Sequence, residues 1–362
     1  MQPVKIVDLF AGPGGVDVAA ERLGVPTVGV EWDADACETR RAAGLGTVQG
    51  DVRRYGPADF PDADVLAGGP PCQTFTVAGS GAGRKALDDV LEFVERMIAR
   101  DDREEIARDL ANLDDVRTGL VLEPLRWILE AIDVCRKPYE AIILEQVPAV
   151  LPVWEAYTRA LRREGYSVDH GLLLTEAYGV PQTRRRAVLI ARRGEHRMEL
   201  PDPTHRAYRK GIPRDAGDSA LEPWRAMGDV IERGTPFEVI SNYGTGGDPK
   251  LRGRRSSAQP SATVTGKIFR NRVVSLDGVE LDRFNYSEAG RLQTFPVDYP
   301  WSGRDIGQQI GNAVPPRLAA HVLSAAFGWV PPGKEMLAKL DWWHRLPEQV
   351  AFAADDDMLV GT

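Results

Sequence analysis

Short β-prone runs alternate with helical stretches of about ten residues through the first half of this chain, and that alternation limits the fold more than any other feature. VKIVDL at 4–9 runs into FAGPGG and then an alanine-rich helical stretch from Val16 to Leu23. TVGVE at 27–31 reads as a second strand, ADACETRRAAG at 34–44 as its helix, and Asp64–Ala67 as a further strand ending in GGPP. Helical apolar spacing from Leu120 to Cys135 precedes AIILE at 141–145. A helix from Val153 to Glu164 and strands at Ser167–Leu174 and Ala187–Ala191 continue the series. Strands separated by crossover helices form a mostly parallel sheet covered on both faces, so a doubly wound α/β fold is expected. Ligands of such sheets collect beyond the carboxyl ends of the strands.

The texture changes after Arg193. Residues 194–258 are rich in Pro, Gly, Asp and Arg without a sustained period, which predicts a smaller irregular domain. Apolar alternation returns near Ala262–Val264 and Val273–Leu276, and a last helix at Pro316–Phe327 is expected to close back onto the sheet. The segment from Pro331, with Trp342, Trp343 and the ADDD run, reads as a docked helix with a frayed end.

Composition excludes several classes. No apolar run approaches the length of a membrane span, and Met1 leads almost at once into VKIVDLF without a signal-like region, so a cytoplasmic location is expected. The three Cys and five His are scattered, with no disulfide framework and no metal-ligand cluster, so no metal is expected. A net charge of −8 argues weakly against nucleic acid, but the local distribution argues for it. Seven basic and no acidic residues lie between Lys250 and Arg272, and Arg184, Arg185, Arg186, Arg192 and Arg193 cluster at the end of a predicted strand. Nearby field outweighs total charge when salt screens at about 10 Å, although either cluster alone also reads as a solvated basic loop.

Four places carry chemistry. FAGPGG, directly after the first strand, lets the chain turn tightly and offers free N–H groups from the next helix; a plain tight turn is the other reading. Glu31 at the end of the second strand can accept ribose hydroxyls, with Trp32 beside it to stack on adenine. Asp51 can take an adenine amino group or cap a turn. GGPPCQTF at 68–75 sets Cys72 on a stiff loop beyond a strand, where a thiolate nucleophile faces a cleft; an isolated Cys is otherwise a small buried hydrophobe.

These segments in this order resemble the bacterial DNA (cytosine-5)-methyltransferases. DLFAGPGG at 8–15 is similar to that family's cofactor loop, GGPPCQTFTVAG at 68–79 to its nucleophile loop, and EQV at 145–147 stands where Glu-Asn-Val is usual. YGVPQTRRR at 178–186, EAGRLQTFP at 288–296 and QQIGNAVPP at 308–316 complete the set. The resemblance implies a Rossmann-like fold that binds S-adenosylmethionine, releases S-adenosylhomocysteine, and methylates a cytosine flipped out of duplex DNA. It implies catalytic roles for Cys72 (addition to C6), Glu145 (the proton at N3), Arg186 (cytosine O2) and Arg184 (bracing the base and the nucleophile loop); from spacing alone, Glu145 also suits a salt bridge or cap. Cofactor contacts are expected from Phe10, Gly12, Gly14, Gly15, Glu31, Trp32, Asp51, Val52, Pro71, Leu120, Asn312 and Val314. DNA contacts are expected from Gln73, Arg252, Arg254, Arg255 and Lys267.

The implied organisation is a catalytic and cofactor-binding domain at 1–194, a target-recognition domain at 195–285, a return segment at 286–330 and an extension at 331–362. The implied partners are double-stranded DNA with a specific site and, if the chain is half of a restriction–modification system and not an orphan methylase with the same sequence features, a cognate restriction endonuclease; the enzyme itself is expected to act as a monomer. Two other readings use the same residues: a tRNA-modifying cytosine-5 methyltransferase, and a catalytically silent DNA-binding relative. Three departures from the family pattern stand out. Gln146 replaces the Asn expected to tie the Glu145 strand to the Pro-Cys loop, and the tie is expected to survive with altered geometry. Thr76 replaces a more common Ser. An acidic, largely helical insertion at about 85–113 is expected to point away from DNA, because phosphate repels it.

Overall fold

The computed structural model describes residues 4–71, 81–113, 115, 117–242 and 252–344. Seven strands form the main sheet: β1 (Ile6–Leu9), β2 (Thr27–Glu31), β3 (Thr47–Gln49), β4 (Val65–Gly68), β5 (Ala141–Gln146), β6 (Tyr166–Leu174) and β7 (Arg185–Arg193). Their order is β3-β2-β1-β4-β5-β7-β6, parallel except for β7, which runs against both its neighbours. Alternate residues feed two cores, which is why the strands read as continuous apolar runs. Val7, Leu9, Leu66, Ile142 and Leu144 face one layer, where Trp127 of α5 (Glu123–Asp133) and Trp154 of α6 (Leu151–Arg163) are fully buried. Ile6, Val65, Ala67, Ala141 and Ile143 face the other, against α1 (Gly15–Arg22) and α9 (Pro316–Phe327). Strand order reverses between β1 and β4, leaving a crevice at their carboxyl ends.

Several sequence expectations are corrected. Leu120–Leu122 is 3₁₀ rather than α-helical, and α5 begins only at Glu123; Pro124 in its first turn has no N–H to donate to an earlier carbonyl. The arginine cluster does not end one strand: Arg185 and Arg193 stand at opposite ends of β7, about 26 Å apart for an extended strand. Arg192 donates to the Phe327 carbonyl at 3.0 Å, far from the crevice. Ala262–Val264 is not a strand; Ser261 makes only a single bridge to Gln182.

The stretch after Arg193 is less irregular than its composition implies. A four-stranded antiparallel sheet, ordered β11-β10-β8-β9, is built from β8 (Phe237–Ile240), β9 (Arg254–Ser256), β10 (Arg272–Ser275) and β11 (Glu280–Leu281). Strands of two to four residues span at most two periods of alternation, which is why the sequence hints only at β10, through Val273–Leu276. Phe237, Val239, Val273 and Phe284 form its core with Leu292 of α7 (Tyr286–Leu292) and Ile306 and Ile310 of α8 (Ile306–Asn312). Thus α7 and α8 contribute to the core of the small sheet, while Phe295 and Tyr299 between them, and then α9, join the core of the large sheet.

The acidic insertion is helical: α3 (Gly81–Ala99) and α4 (Arg103–Ala111). Val90, Phe93, Val94 and Ile106 enter the main core. Arg96 pairs with Asp109 at 2.7 Å, and Arg100 with Asp133 and Glu164, each at 2.8 Å. Beyond α10 (Lys334–Ala338), Trp343 donates to the Ala43 carbonyl at 3.1 Å and lies under Arg22, so the extension is docked as far as His344. No helix among the described residues is long and apolar enough to cross a membrane.

Two buried histidines set an acid limit on stability. Burial, then Arg317, pushes His205 and His321 down to about 4. The unfolded chain binds these protons near pH 6.5 and the folded one does not, so stability falls as pH drops from about 6.5 towards 4. Both ring nitrogens of His321 are buried without a hydrogen-bond partner. His321→Leu should therefore flatten the melting temperature against pH in that window. An unchanged slope would remove His321 from this account.

Candidate active site

The first wall of the crevice is the β1–α1 loop. Phe10, Gly12 and Gly14 all have positive φ (59°, 55° and 104°), and a side chain at Gly12 would meet only open space. Gly15 is required for a different reason: a Cβ there would lie 2.0 Å from the Val314 carbonyl oxygen. The loop is thereby seated on the QQIGNAVPP segment, where Asn312 is exposed and accepts from Gln308 at 2.8 Å. Glu31, at the end of β2, accepts the Gly12 amide on Oε2 and the Asp33 amide on Oε1, both at 2.7 Å. Burial raises its pKa, opposed by those two amides. A carboxylate has about four lone-pair sites, so acceptor capacity remains for two hydroxyls. Trp32 beside it is 68% exposed, an aromatic face open for stacking.

Two other cofactor candidates are already engaged. The Asp51 carboxylate caps the turn at Val52–Arg54 and is held by the Arg53 guanidinium, 2.6 Å from Nη2, which lowers its pKa. Val52 is buried beneath α5, and its carbonyl accepts from Arg126 at 3.1 Å. Pro71 and Leu120 are half-buried, Leu120 against the main core. The Phe10–Gly15 loop, Glu31 and Trp32 keep open faces or spare acceptors that fit S-adenosylmethionine, whereas the groups of Asp51 and Val52 already have partners within the chain.

The second wall is the end of β5 against the start of β7. Glu145 pairs with Arg186, Oε1 to Nε 2.6 Å, and both side chains are largely buried. Arg186 Nη1 also donates to the Arg185 carbonyl at 2.6 Å. Gln146 is buried, and its amide donates to the Pro70 carbonyl while its Oε1 accepts the Val147 amide. Glutamine thus makes the tie between the β5 end and the Gly-Pro-Pro segment that the family's Asn is expected to make. Gln146→Leu should lower kcat about fivefold, the worth of roughly one hydrogen bond, and Gln146→Asn should restore most of the rate. Wild-type kcat in the Leu variant would show that the tie has no part in turnover. Cys72, Gln73 and Thr76 lie outside the described residues.

Arg184 serves as a brace. Nη1 donates to the carbonyls of Val264 and Gly311 at 2.9 and 3.0 Å, and Nη2 to Gly311 at 3.0 Å. Sequence reasoning missed its neighbour Gln182, which is fully buried. Gln182 donates to the Leu292 carbonyl and accepts the Val264 amide, each at 3.0 Å. Gln293 then donates to the Ile310 carbonyl at 2.7 Å. Both glutamines stand inside YGVPQTRRR and EAGRLQTFP, yet no local pattern reveals partners some 110 residues away. Of the DNA candidates, Arg254 is exposed and pairs with Glu238 at 3.1 Å, Arg252 is half-buried, Lys267 is exposed, and Arg255 lies over the Tyr208 ring.

The sheet order, the glycine loop and the carboxylate at the end of β2 define a doubly wound α/β fold with a nucleotide-type crevice. Solved structures agree on the fold. A methyltransferase of Entamoeba histolytica superposes with a TM-score of 0.60 at 13% identity, covering 91% of this chain and 99% of that one. A putative DNA modification methyltransferase of an E. coli prophage gives 0.54 at 20% identity, covering 90% and 99%. Residues 4–99 and 112–218 match the family model described as C-5 cytosine-specific DNA methylase, and the chain belongs to that family. It is similar to the type II methyltransferase M1.HphI of Haemophilus parahaemolyticus, 27% identical over 357 residues, 88% of this chain and 85% of that one. Against M.NgoFVII of Neisseria gonorrhoeae the identity is 25% over 380 residues, 95% and 91% of the two chains. The protein is an S-adenosylmethionine-dependent enzyme that methylates cytosine C5 in DNA at a specific site, through a flipped base and a catalytic cysteine. The family match passes over residues 100–111, which include α4.

Proposed function

We propose that this chain is the modification enzyme of a restriction–modification system, acting as a monomer beside a cognate endonuclease, with Cys72 as its nucleophile. The relatives named type II methyltransferases support the first part. The observation that carries the second is the Glu145–Arg186 pair, whose Glu145 stands on the strand that Gln146 ties to Pro70, two residues before Cys72.

Cytosine C5 is a weak nucleophile, and addition of the Cys72 thiolate to C6 gives the ring enamine character. Glu145 holds the proton at N3, absorbing the charge that develops as sulfur adds. With Arg186 Nε on Glu145 and one Nη1–H on the Arg185 carbonyl, the remaining Nη hydrogens are left for cytosine O2. Arg184 positions that strand end through Gly311 and Val264. Bound S-adenosylmethionine supplies the methyl group, held by the Phe10–Gly15 loop, Glu31 and Trp32. Loss of the C5 proton then lets Cys72 leave.

Domain roles follow: catalysis in 1–194, target recognition in 195–285 with DNA contacts concentrated in Ser241–Arg272, and closure by the return segment. Residues 243–251 of that stretch lie outside the described ones. Bisulfite sequencing of DNA from cells expressing the chain should show protected cytosines in one sequence context. Methylation confined to RNA, or none, would overturn this reading.

A further inference from the structure

A cavity of about 580 Å³ lies between the start of β7 and the small domain. Glu176, Arg185 and Arg186 line one side, and Tyr208, Lys210 and Arg255 the other. Successive residues of a strand point to opposite faces, and β9 uses that rule to separate two arginines. Arg254 pairs with Glu238 at 3.1 Å on the surface, whereas Arg255 turns into the cavity with its guanidinium carbon 4.5 Å over the Tyr208 ring. Tyr208 is itself held, by Gln259 Nε2 donating to its hydroxyl at 3.0 Å and by Trp224 edge-on at 5.3 Å.

The stack leaves the edge of the Arg255 fork for a ligand. Its Nη1 is buried without a hydrogen-bond partner, and a buried donor left unmade is costly. Lys210 and Arg185 are exposed at the same cavity, and neither they nor Arg255 form an ion pair among the described residues. Against these three cations stands one carboxyl, Glu176, whose pKa burial raises towards the neutral form. Excess positive charge from two sides, with a rigid fork at its centre, suits a tetrahedral anion better than the neutral edge of a base.

We propose that Arg255, Lys210 and Arg185 seat a phosphodiester group of the DNA strand carrying the target cytosine, so that Arg255 positions DNA instead of reading sequence. The proposal rests on DNA as substrate and places the seat beside Arg186, adjoining the pocket for the base. It predicts a loss of affinity that is blind to sequence. With the site known from bisulfite sequencing, a duplex is scanned with one neutral methylphosphonate at a time around the target cytosine. The wild-type enzyme should lose about tenfold in affinity at one or two positions. Arg255→Ala should weaken cognate and scrambled duplexes alike, lower the salt slope by about one, and no longer respond to the methylphosphonate at that position. Lys210→Ala, at an exposed residue where folding is not at risk, should move all three readouts in the same direction. The loss should fall on KM for DNA more than on kcat. A fivefold or greater drop in the cognate-to-scrambled ratio for Arg255→Ala would make it a base reader and overturn the proposal. So would a scan in which every methylphosphonate effect persists in both variants. Failure of the DNA substrate itself would show separately, as absence of turnover by the wild-type enzyme.

Discussion

Cys72→Ser should abolish methyl transfer, with a fall in kcat of about a thousandfold or more, while S-adenosylmethionine binds nearly as before. A serine hydroxyl is far less nucleophilic towards C6 than a thiolate. The cofactor contacts proposed here, at Phe10–Gly15, Glu31 and Trp32, belong to the β1–α1 loop and the end of β2 and are untouched by the substitution. Single-turnover methylation and calorimetric cofactor binding separate the two effects. DNA carrying 5-fluorocytosine adds an independent check. Fluorine at C5 cannot leave as a proton, so the wild-type enzyme should remain covalently attached in the presence of cofactor and the Ser variant should not. Methylation by Cys72→Ser near the wild-type rate, or no trapped complex with wild type, would defeat the covalent mechanism on this residue.

Arg40→Ala should produce the largest loss of stability, about 3–5 kcal/mol. Arg40 and Asp17 are fully buried and joined through Nη1 to Oδ2 at 2.7 Å and Nη2 to Oδ1 at 2.8 Å. Nη2 also donates to the Gly46 carbonyl at 2.9 Å, and Nε to Thr47 Oγ1 at 3.2 Å. Removing the guanidinium leaves the Asp17 carboxylate in the core with, among the described residues, only the Thr27 hydroxyl, 2.7 Å away. Asp8, already pushed well above the usual carboxylate range by burial and by Asp17, would lose the neighbouring Arg40 that opposes that shift. Because Asp17 lies in the first turn of α1, the cofactor loop should loosen with the core. Urea unfolding gives the stability, and the double variant Arg40→Met, Asp17→Leu should recover part of the loss by removing both charges. A single-variant loss below about 1 kcal/mol would mean that water reaches the pair.

Much of the site was legible because its signals are local. The glycine loop, Glu31 at a strand end, and the Gly-Pro-Pro-Cys sequence are each contiguous, and the β/α alternation places all three after or at carboxyl ends of strands. The reading of Asp51 as a turn cap was also local, since its partner Arg53 is two residues away. Gln146 could be noticed as an unusual residue, but its bond to Pro70 joins positions 76 apart. The small sheet stayed mostly hidden because its strands span at most two periods of alternation, with only Val273–Leu276 hinting at β10.

The sequence by itself determined the class of fold, the order of the motifs and the chemistry they carry, because hydrophobic period and turn residues act over a few positions. Only the tertiary structure decided which polar groups meet. It split the five arginines between two ends of β7, bound Arg184 to carbonyls 80 and 127 residues away, and turned Arg255 inward while Arg254 stayed outside. Gly29 carries the same lesson: it looks like an ordinary strand glycine, yet a Cβ there would lie 2.1 Å from Arg40 Nη2. A side chain's partner depends on strand order and on the direction of β7, and both are set by packing across the whole sheet, which no short window of sequence contains.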